Sequence, residues 1–259
     1  MLTFKNTNVF FGTVLTGLIA IDILYDLPYQ LIIFSSLLFM YALIIFYGCY
    51  FIRSNFFMKV FCSANTGKKE IAISFDDGPT ENYTAAILET LKENNVKAVF
   101  FCIGKHINAN KTVFRQLHEQ GHIIGNHSYS HHFFFDLFSS KRMLLELKMM
   151  DTVTEELTGV KPKLFRPPYG VINPNLRKAI LDGGYIPVGW SVRSMDTVIK
   201  DEKKLLDKVE RLLKPGAVFL FHDTSKSTKE MLPRFIKHVK ELGYEIVRLD
   251  KMLALQPYA

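Results

Sequence analysis

The sequence predicts an α/β fold, a deformed or partial (β/α) barrel of about seven units that follows an N-terminal transmembrane segment. From Lys69 onwards, strand-like runs alternate with helical runs, which is the pattern of a parallel sheet covered by helices. Polar side chains follow several of the predicted strands, at the end where parallel barrels place their active sites. Apolar runs without charge dominate the first 60 residues.

The first 60 residues predict a membrane anchor of one or two helices. Residues 31–52 carry no charge and are long enough to cross a bilayer. Residues 9–25 contain a shorter apolar run that predicts a second span, an interfacial helix or a signal-peptide core. Because no small-residue cleavage pattern follows, we expect the run to be retained, with residues 26–28 as the turn of a hairpin. The basic residues that flank the apolar block favour a cytoplasmic domain under the positive-inside rule.

The remaining elements are predicted from hydrophobic period and from chain breakers. Short apolar or alternating runs predict the strands, and amphipathic runs that end at glycine or Pro-Gly predict the helices. The strands are expected at 70–75, 96–103, 122–125, 163–165, 186–192, 217–221 and 245–249, and the helices at 83–93, 112–120, 141–158, 175–181, 202–213 and 229–242.

Charge and cysteine content exclude several functions. The net charge is +7, but the sequence contains no dense basic run interleaved with aromatic residues, so a nucleic acid is not expected as a partner. The three cysteines, Cys49, Cys62 and Cys102, have neither the spacing of a metal site nor that of a disulfide framework. One or two membrane helices cannot line a transport pathway alone.

Two adjacent carboxylates and two histidines predict a metal centre. Asp76 and Asp77 end the first strand, where a twist of the chain would let both reach one cleft, one to hold a metal and one to move a proton. The alternative is an ordinary Asp-Asp-Gly-Pro turn. His127 and His131 are four residues apart and would share one face of a helical turn. With Asp77 they form a two-histidine, one-carboxylate set with an open position, typical of catalytic zinc, although a histidine-rich surface loop is the alternative.

Four motifs in order resemble those of the polysaccharide deacetylases, carbohydrate esterase family 4, which share the nodulation deacetylase homology domain. Residues 74–79 match the motif Thr/Ser-Phe-Asp-Asp-Gly-Pro, and 127–131 match His-Ser/Thr-x-x-His. Residues 166–169 match Arg-x-Pro-Tyr, and 220–222 match Leu-x-His. The resemblance implies a catalytic domain at 68–252 that removes N-acetyl groups from the amino sugars of a polysaccharide or oligosaccharide.

The resemblance also implies a role for each matching residue. It implies one divalent metal ion, usually zinc, on Asp77, His127 and His131, with Asp76 as general base and His222 as general acid. It further implies that Arg166 pairs with Asp76, that Asp196 orients His222, that the Tyr169 backbone N–H stabilises the oxyanion, and that the acyl pocket is formed by Leu220, Trp190 and Thr197. The sequence departs from the family at two positions, since Arg193 and Thr197 stand where an aspartate and a tryptophan are usual. This departure leaves the acyl group open between acetyl and formyl.

Several functions remain open at this point. The expected substrate is an N-acetylated glycan, which includes peptidoglycan, a chitin-like oligomer, an exopolysaccharide and a lipid-linked sugar, and the anchor implies contact with membrane lipid. One alternative is a deacetylase or deformylase of a lipid-linked sugar at the membrane. Another is a non-catalytic, membrane-anchored carbohydrate-binding module, against which the intact motif residues argue. Because most of the family works outside the cytoplasm, we expect an integral membrane protein with an extracytoplasmic domain, contrary to the charge rule.

Overall fold

The computed structural model describes residues 2–259, which form ten α-helices and eight β-strands. The elements in chain order are α1 (Phe4–Tyr25), α2 (Gln30–Tyr50), β1 (Glu70–Asp76), α3 (Glu81–Glu93), β2 (Val99–Cys102), α4 (Gly104–Ala109), α5 (Lys111–Glu119), β3 (Ile123–Asn126), α6 (Ser140–Thr158), β4 (Leu164–Phe165), α7 (Pro174–Gly183), β5 (Ile186–Pro187), β6 (Val192–Arg193), α8 (Glu202–Arg211), β7 (Ala217–His222), α9 (Lys226–Glu241), β8 (Glu245–Ile246) and α10 (Leu249–Leu253).

All the strand pairs of the sheet are parallel, in the order β5-β4-β3-β2-β1-β7-β6, with β8 paired to the beginning of β1. The central strand β1 places Asp76 opposite Phe101 of β2 and His222 of β7. The carboxyl ends of these strands therefore meet around Asp76. The predicted α/β fold, a partial parallel barrel of about seven units, is confirmed.

The prediction of one strand at 186–192 is wrong, because this stretch forms two short strands at opposite edges of the sheet. β5 pairs with β4, whereas β6 pairs with β7. Pro187 has no N–H to donate, and Gly189 is so closely packed that an added Cβ would lie 2.6 Å from the Cys62 sulphur. The intervening residues cross the gap between the two sheet edges instead of extending one strand.

The chain that connects the N-terminal helices to β1 also crosses this gap. Phe61 pairs with Val188 beside β5, and Ser63 pairs with Ala217 at the start of β7. The segment 60–64 therefore joins the open edges of the barrel, a role that the sequence did not predict. The expected strand at 245–249 is also shorter than predicted, because α10 begins at Leu249.

The barrel has an inner and an outer apolar layer, as the period of two along each strand requires. Inward residues such as Ala72, Val99 and Phe101 form one cluster, which α10 closes with Leu249. Outward residues such as Phe75 pack beneath the surrounding helices. The inward series of β1 continues through Ser74 to Asp76, so the strand that builds the core also aims a carboxylate into the mouth of the barrel.

Helices α1 and α2 form a hairpin whose turn lies at 26–29, and most of its apolar side chains are exposed. Both helices are long and apolar enough to cross a membrane by length and composition. The ends next to the barrel are docked onto it. The Phe4 N–H donates to the Phe56 carbonyl at 2.9 Å, and the Ile172 N–H donates to the Cys49 carbonyl of α2 at 3.0 Å.

Candidate active site

A cleft of about 260 Å³ opens at the carboxyl ends of the strands. Nine of the eleven residues that the sequence singled out line it, and Arg166 and Asp196 lie buried behind it. The lining consists of Asp76, Asp77, His127, His131, Pro167, Tyr169, Gly170, Trp190, Arg193, Thr197, Leu220 and His222.

Asp77, His127 and His131 converge on one side of the cleft. The Asp77 Oδ1 atom lies 3.4 Å from His127 Nε2 and 3.5 Å from His131 Nε2, and the three donor atoms lie within 4.8 Å of one another. Asp77 has a left-handed φ of 76°, which turns its carboxylate towards the cleft that Asp76 enters from the strand. The predicted helical turn at 127–131 is wrong: positive φ angles at Ser128 and His131 fold this stretch into a loop that brings both imidazoles together.

The surroundings of these three residues fit a divalent metal ion. The Arg166 backbone carbonyl lies 2.8 Å from His127 Nδ1 and can only accept, so Nδ1 carries a hydrogen and Nε2 faces Asp77. Burial alone would lower the pKa of His127, but the charges of Asp76 and Asp77 raise it, so a metal ion bound at Nε2 would displace a proton from that nitrogen. Burial lowers the pKa of His131, which favours its neutral form. Burial alone would raise the pKa of Asp77, but the neighbouring histidines hold it well below its usual range. Two imidazole nitrogens and one carboxylate oxygen form a set suited to zinc and similar ions.

Asp76 is held by a fully buried arginine. Arg166 Nη1 lies 2.7 Å from Asp76 Oδ1 and 2.7 Å from Ser74 Oγ. The other guanidinium nitrogens donate to the carbonyls of Val188 and Gly189 at 3.2 and 2.8 Å. This arrangement fixes Asp76 Oδ1, while Oδ2 remains on the metal-binding side, 4.0 Å from His127 Nε2.

His222 faces these groups across the cleft and is oriented by Asp196. Its Nδ1 lies 2.7 Å from Asp196 Oδ1, and its backbone N–H donates to Asp196 Oδ2 at 2.6 Å. Burial alone would lower the pKa of His222, but the hydrogen bond and charge of Asp196, with the charges of Asp76 and Asp77, raise it to about 9. His222 is therefore an imidazolium near neutral pH, with Nε2 at 3.9 Å from Asp77 Oδ2.

Sequence reasoning missed the buried polar network that supports the histidine loop. Asp151 of α6 accepts from Tyr185 at 2.6 Å and from the side-chain amide of Asn126 at 2.9 Å. The Asn126 side-chain oxygen accepts from the Ser128 N–H at 2.9 Å, inside the loop. The signal in the sequence that could have revealed this network is the carboxylate of Asp151 on the apolar face of the helix predicted at 141–158.

A second missed group lies beneath the Asp77 loop. The Asp77 carbonyl contacts His106 Nδ1 of α4 at 2.6 Å. Asp223 is fully buried next to Gly78, where an added Cβ would overlap its carboxylate. Burial raises the pKa of Asp223 to about 7, and its Oδ2 accepts a hydrogen bond of 2.6 Å from Thr84. Neither α4 nor the depth of Asp223 was predicted.

Comparison with known proteins identifies the class of protein. The sequence model described as polysaccharide deacetylase matches residues 63–188. The peptidoglycan-N-acetylmuramic acid deacetylase PdaA of Bacillus subtilis is 31% identical over 197 residues, which cover 74% of this chain and 74% of that protein. The chain therefore belongs to the polysaccharide deacetylase family, as the four motifs predicted.

Two further relatives support this assignment. The peptidoglycan-N-acetylglucosamine deacetylase PgdA of Listeria monocytogenes is 34% identical over 184 residues, which are 71% of this chain but 39% of that protein. The chain thus spans about two fifths of the length of that relative. A crystal structure of the peptidoglycan N-acetylglucosamine deacetylase Bc1960 superimposes with a TM-score of 0.73 at 29% identity, and the match covers 76% of this chain and 94% of that one.

Proposed function

We propose that this protein is a metal-dependent hydrolase that removes N-acetyl groups from amino sugars of a glycan. The observation that carries the proposal is that one cleft contains a three-residue metal-binding set together with Asp76 and His222. Asp76 is hydrogen-bonded to Arg166, and His222 is hydrogen-bonded to Asp196. The relatives named above as peptidoglycan deacetylases favour an N-acetylated amino sugar of a peptidoglycan-like glycan as substrate.

Asp77, His127 and His131 would hold the ion, and the mixed nitrogen and oxygen donors favour zinc. A divalent metal bound there supplies a Lewis acid for the acyl carbonyl and lowers the pKa of water. Asp76 is placed to accept the proton of the attacking water, since Arg166 orients one carboxylate oxygen and leaves the other towards the metal side.

His222 is placed to donate a proton to the leaving nitrogen. Because Nδ1 is bonded to Asp196, the proton on Nε2 is the one directed into the cleft. An amine leaves poorly as an anion, so this proton is needed when the C–N bond breaks. Tyr169, which borders the cleft in a left-handed conformation with φ of 58°, would offer its backbone N–H to the oxyanion.

The acyl pocket would be formed by Leu220, Trp190 and Thr197, which share the cleft lining. Thr197 makes one wall small and polar, and Arg193 adds a cation whose guanidinium lies 6.0 Å from the Trp190 ring. A small acyl group, acetyl or formyl, suits this space.

The N-terminal hairpin would anchor the protein in a membrane, with residues 68–252 as the catalytic domain outside the cytoplasm. The support for the anchor is the largely exposed apolar surface of both helices, since exposure of so large an apolar surface to water is unfavourable.

The proposal is tested with purified full-length protein in detergent. We expect about one equivalent of divalent metal, and release of acetate from N-acetylated chito-oligosaccharides or peptidoglycan fragments. Chelation should abolish release and added zinc should restore it, while His131→Ala should bind no metal and His222→Ala should bind metal without turnover. A protein that holds metal in His131→Ala, or that stays active after the metal is removed, would contradict the proposal.

A further inference from the structure

An exposed apolar patch borders the cleft on the loop that follows His131. Phe133, Phe134 and Leu137 have exposed fractions of 77%, 54% and 78%. We define these three residues as the rim patch. The same loop buries Phe135 and Phe138 in the core, and residues 135–137 form a 3-10 turn, so the loop is firmly held while its three outer side chains face solvent.

The rim patch lies next to the substrate opening. The Phe133 ring centroid is 6.5 Å from that of Tyr169, and the Tyr169 ring is 4.8 Å from that of His131. A surface in contact with the rim patch would therefore be separated from His131 of the proposed metal site by the Tyr169 side chain.

A continuous set of hydrogen bonds joins the rim loop to the membrane-side helices. The Asn173 side chain donates to the Asp136 carbonyl at 2.7 Å, and that of Asn175 donates to the Phe138 carbonyl at 3.2 Å. The neighbouring Ile172 N–H donates to the Cys49 carbonyl in the last turn of α2. The rim patch is thus held beside the barrel end of the apolar hairpin.

The charge beside the rim patch favours an anionic surface, because two cations adjoin it and the one acid within the loop, Asp136, has its pKa raised to about 6 by burial. Lys141 and Arg142 are exposed in the first turn of α6. The helix dipole disfavours cations there, and the first turn contains no acidic residue that would neutralise them. The Arg142 guanidinium lies 3.5 Å from the centre of the Phe138 ring, so it is fixed next to the patch. Aromatic and apolar side chains with adjacent cations are the combination that binds the interface of an anionic bilayer.

We infer that the rim patch is a second membrane contact, which holds the mouth of the cleft against the bilayer, and that the amino sugar treated there is one attached to a membrane lipid. This inference rests on the proposed deacetylase function and names its substrate class. The hairpin brings the barrel to the membrane, and the rim patch fixes which side of the barrel faces the lipid.

The membrane contact is tested on full-length protein in vesicles that contain anionic phosphatidylglycerol. An environment-sensitive fluorophore is placed at Leu137→Cys, in a background where Cys49 is replaced by alanine and Cys62 and Cys102 remain buried. Leu242→Cys is the matched control, since Leu242 is an exposed leucine at the opposite end of the barrel. We expect quenching by spin-labelled lipid at Leu137→Cys and none at Leu242→Cys. Equal quenching at the two sites, or none at Leu137→Cys, would overturn the inference.

The substrate class is tested with Phe134→Ser/Leu137→Ser, which leaves the Phe133 and Tyr169 rings in place. Its matched control, Leu212→Ser/Leu242→Ser, removes two exposed leucines far from the cleft. On N-acetylglucosamine linked through diphosphate to a polyprenyl chain in vesicles, we expect kcat/KM to fall about tenfold for the rim variant, by loss of partial burial of two side chains. On soluble chito-oligosaccharide, both variants should match the parent protein.

The two assays separate failure of this inference from failure of the proposed function. A parent protein that is inactive on both substrates would refute the deacetylase function, whatever the quenching result. Equal losses on soluble and lipid-attached substrates in the rim variant would refute the membrane contact while leaving the deacetylase intact.

Discussion

The imidazolium of His222 depends on Asp196, and the substitution Asp196→Asn tests this dependence directly. The shift of the His222 pKa from 6.5 to about 9 has the hydrogen bond and charge of Asp196 as its main raising contributions. If the substitution returned the pKa to its ordinary value, the imidazolium fraction at pH 8 would fall from about 0.9 to about 0.03, and at pH 6 from about 1 to about 0.8.

The expected result is therefore a pH-dependent loss. The kcat/KM of Asp196→Asn should fall by up to about 20-fold more at pH 8 than at pH 6, so the alkaline limb of the profile moves to lower pH. The sign follows from the role of His222 as an acid, because a lower pKa removes the proton at high pH. Acetate release is measured from pH 5.5 to 9.5 on metal-loaded protein. Asp207→Asn, an exposed aspartate on α8, is the control and should retain the parent profile.

A loss of equal size at every pH would refute the dependence of the His222 imidazolium on Asp196. Such a result would mean that Asp196 only positions the ring, or that the alkaline limb belongs to another group. A misfolded variant is distinguished by metal binding, which should be retained because Asp196 is not among the three donor residues.

Three further predictions concern stability and metal binding. Burial raises the pKa of Asp223 to about 7 from an ordinary 3.8, so the protonated carboxyl contributes stability that is fully present below pH 3.8 and is lost as pH rises through 7. Relative to the parent, metal-free Asp223→Asn should therefore gain up to about 4 kcal/mol in its free energy of unfolding by denaturant between pH 4 and pH 8. A difference that does not change with pH would contradict this. Tyr185→Phe removes a donor to the buried Asp151 carboxylate, and it should lower the free energy of unfolding by about 1–3 kcal/mol, whereas no loss would mean that water replaces the hydroxyl. Zinc at about 100 times its Kd should stabilise the parent by about 2.7 kcal/mol, and His131→Ala should show no zinc-dependent shift in Tm.

The alternation of strands and helices and the end of the sheet that carries the chemistry could be predicted, because both follow from local pattern. Alternation of apolar runs sets the parallel sheet, and parallel strands bring Asp76 and His222 to one edge. The convergence of His127 and His131 was predicted for the wrong reason, since a loop with left-handed residues replaces the helical turn. A spacing of four residues is compatible with both conformations.

Other features could not be predicted because they depend on contacts between distant residues. Pro187 and Gly189 are local signals against one strand at 186–192, but the pairing of its two halves with opposite sheet edges depends on distant contacts, among them the hydrogen bonds from Arg166 to the carbonyls of Val188 and Gly189. Asp151 lies in an amphipathic helix, and only the packed structure shows that Asn126 and Tyr185 donate hydrogen bonds to its carboxylate. The sequence also carries no local signal that the rim loop lies beside α2.

The N-terminal hairpin and the proposed general base are linked through the segment that crosses the open edge of the barrel. Ile52 and Cys62 pack against Gly189, where an added Cβ would lie 3.1 Å and 2.6 Å from their side chains. The Gly189 carbonyl accepts from Arg166 Nη2, and Arg166 Nη1 in turn holds Asp76. Removal of the chain before residue 68 would therefore withdraw the packing that keeps Gly189 in place and would loosen Asp76. The barrel therefore depends on the linker at 51–64, which packs as part of the fold that holds Asp76.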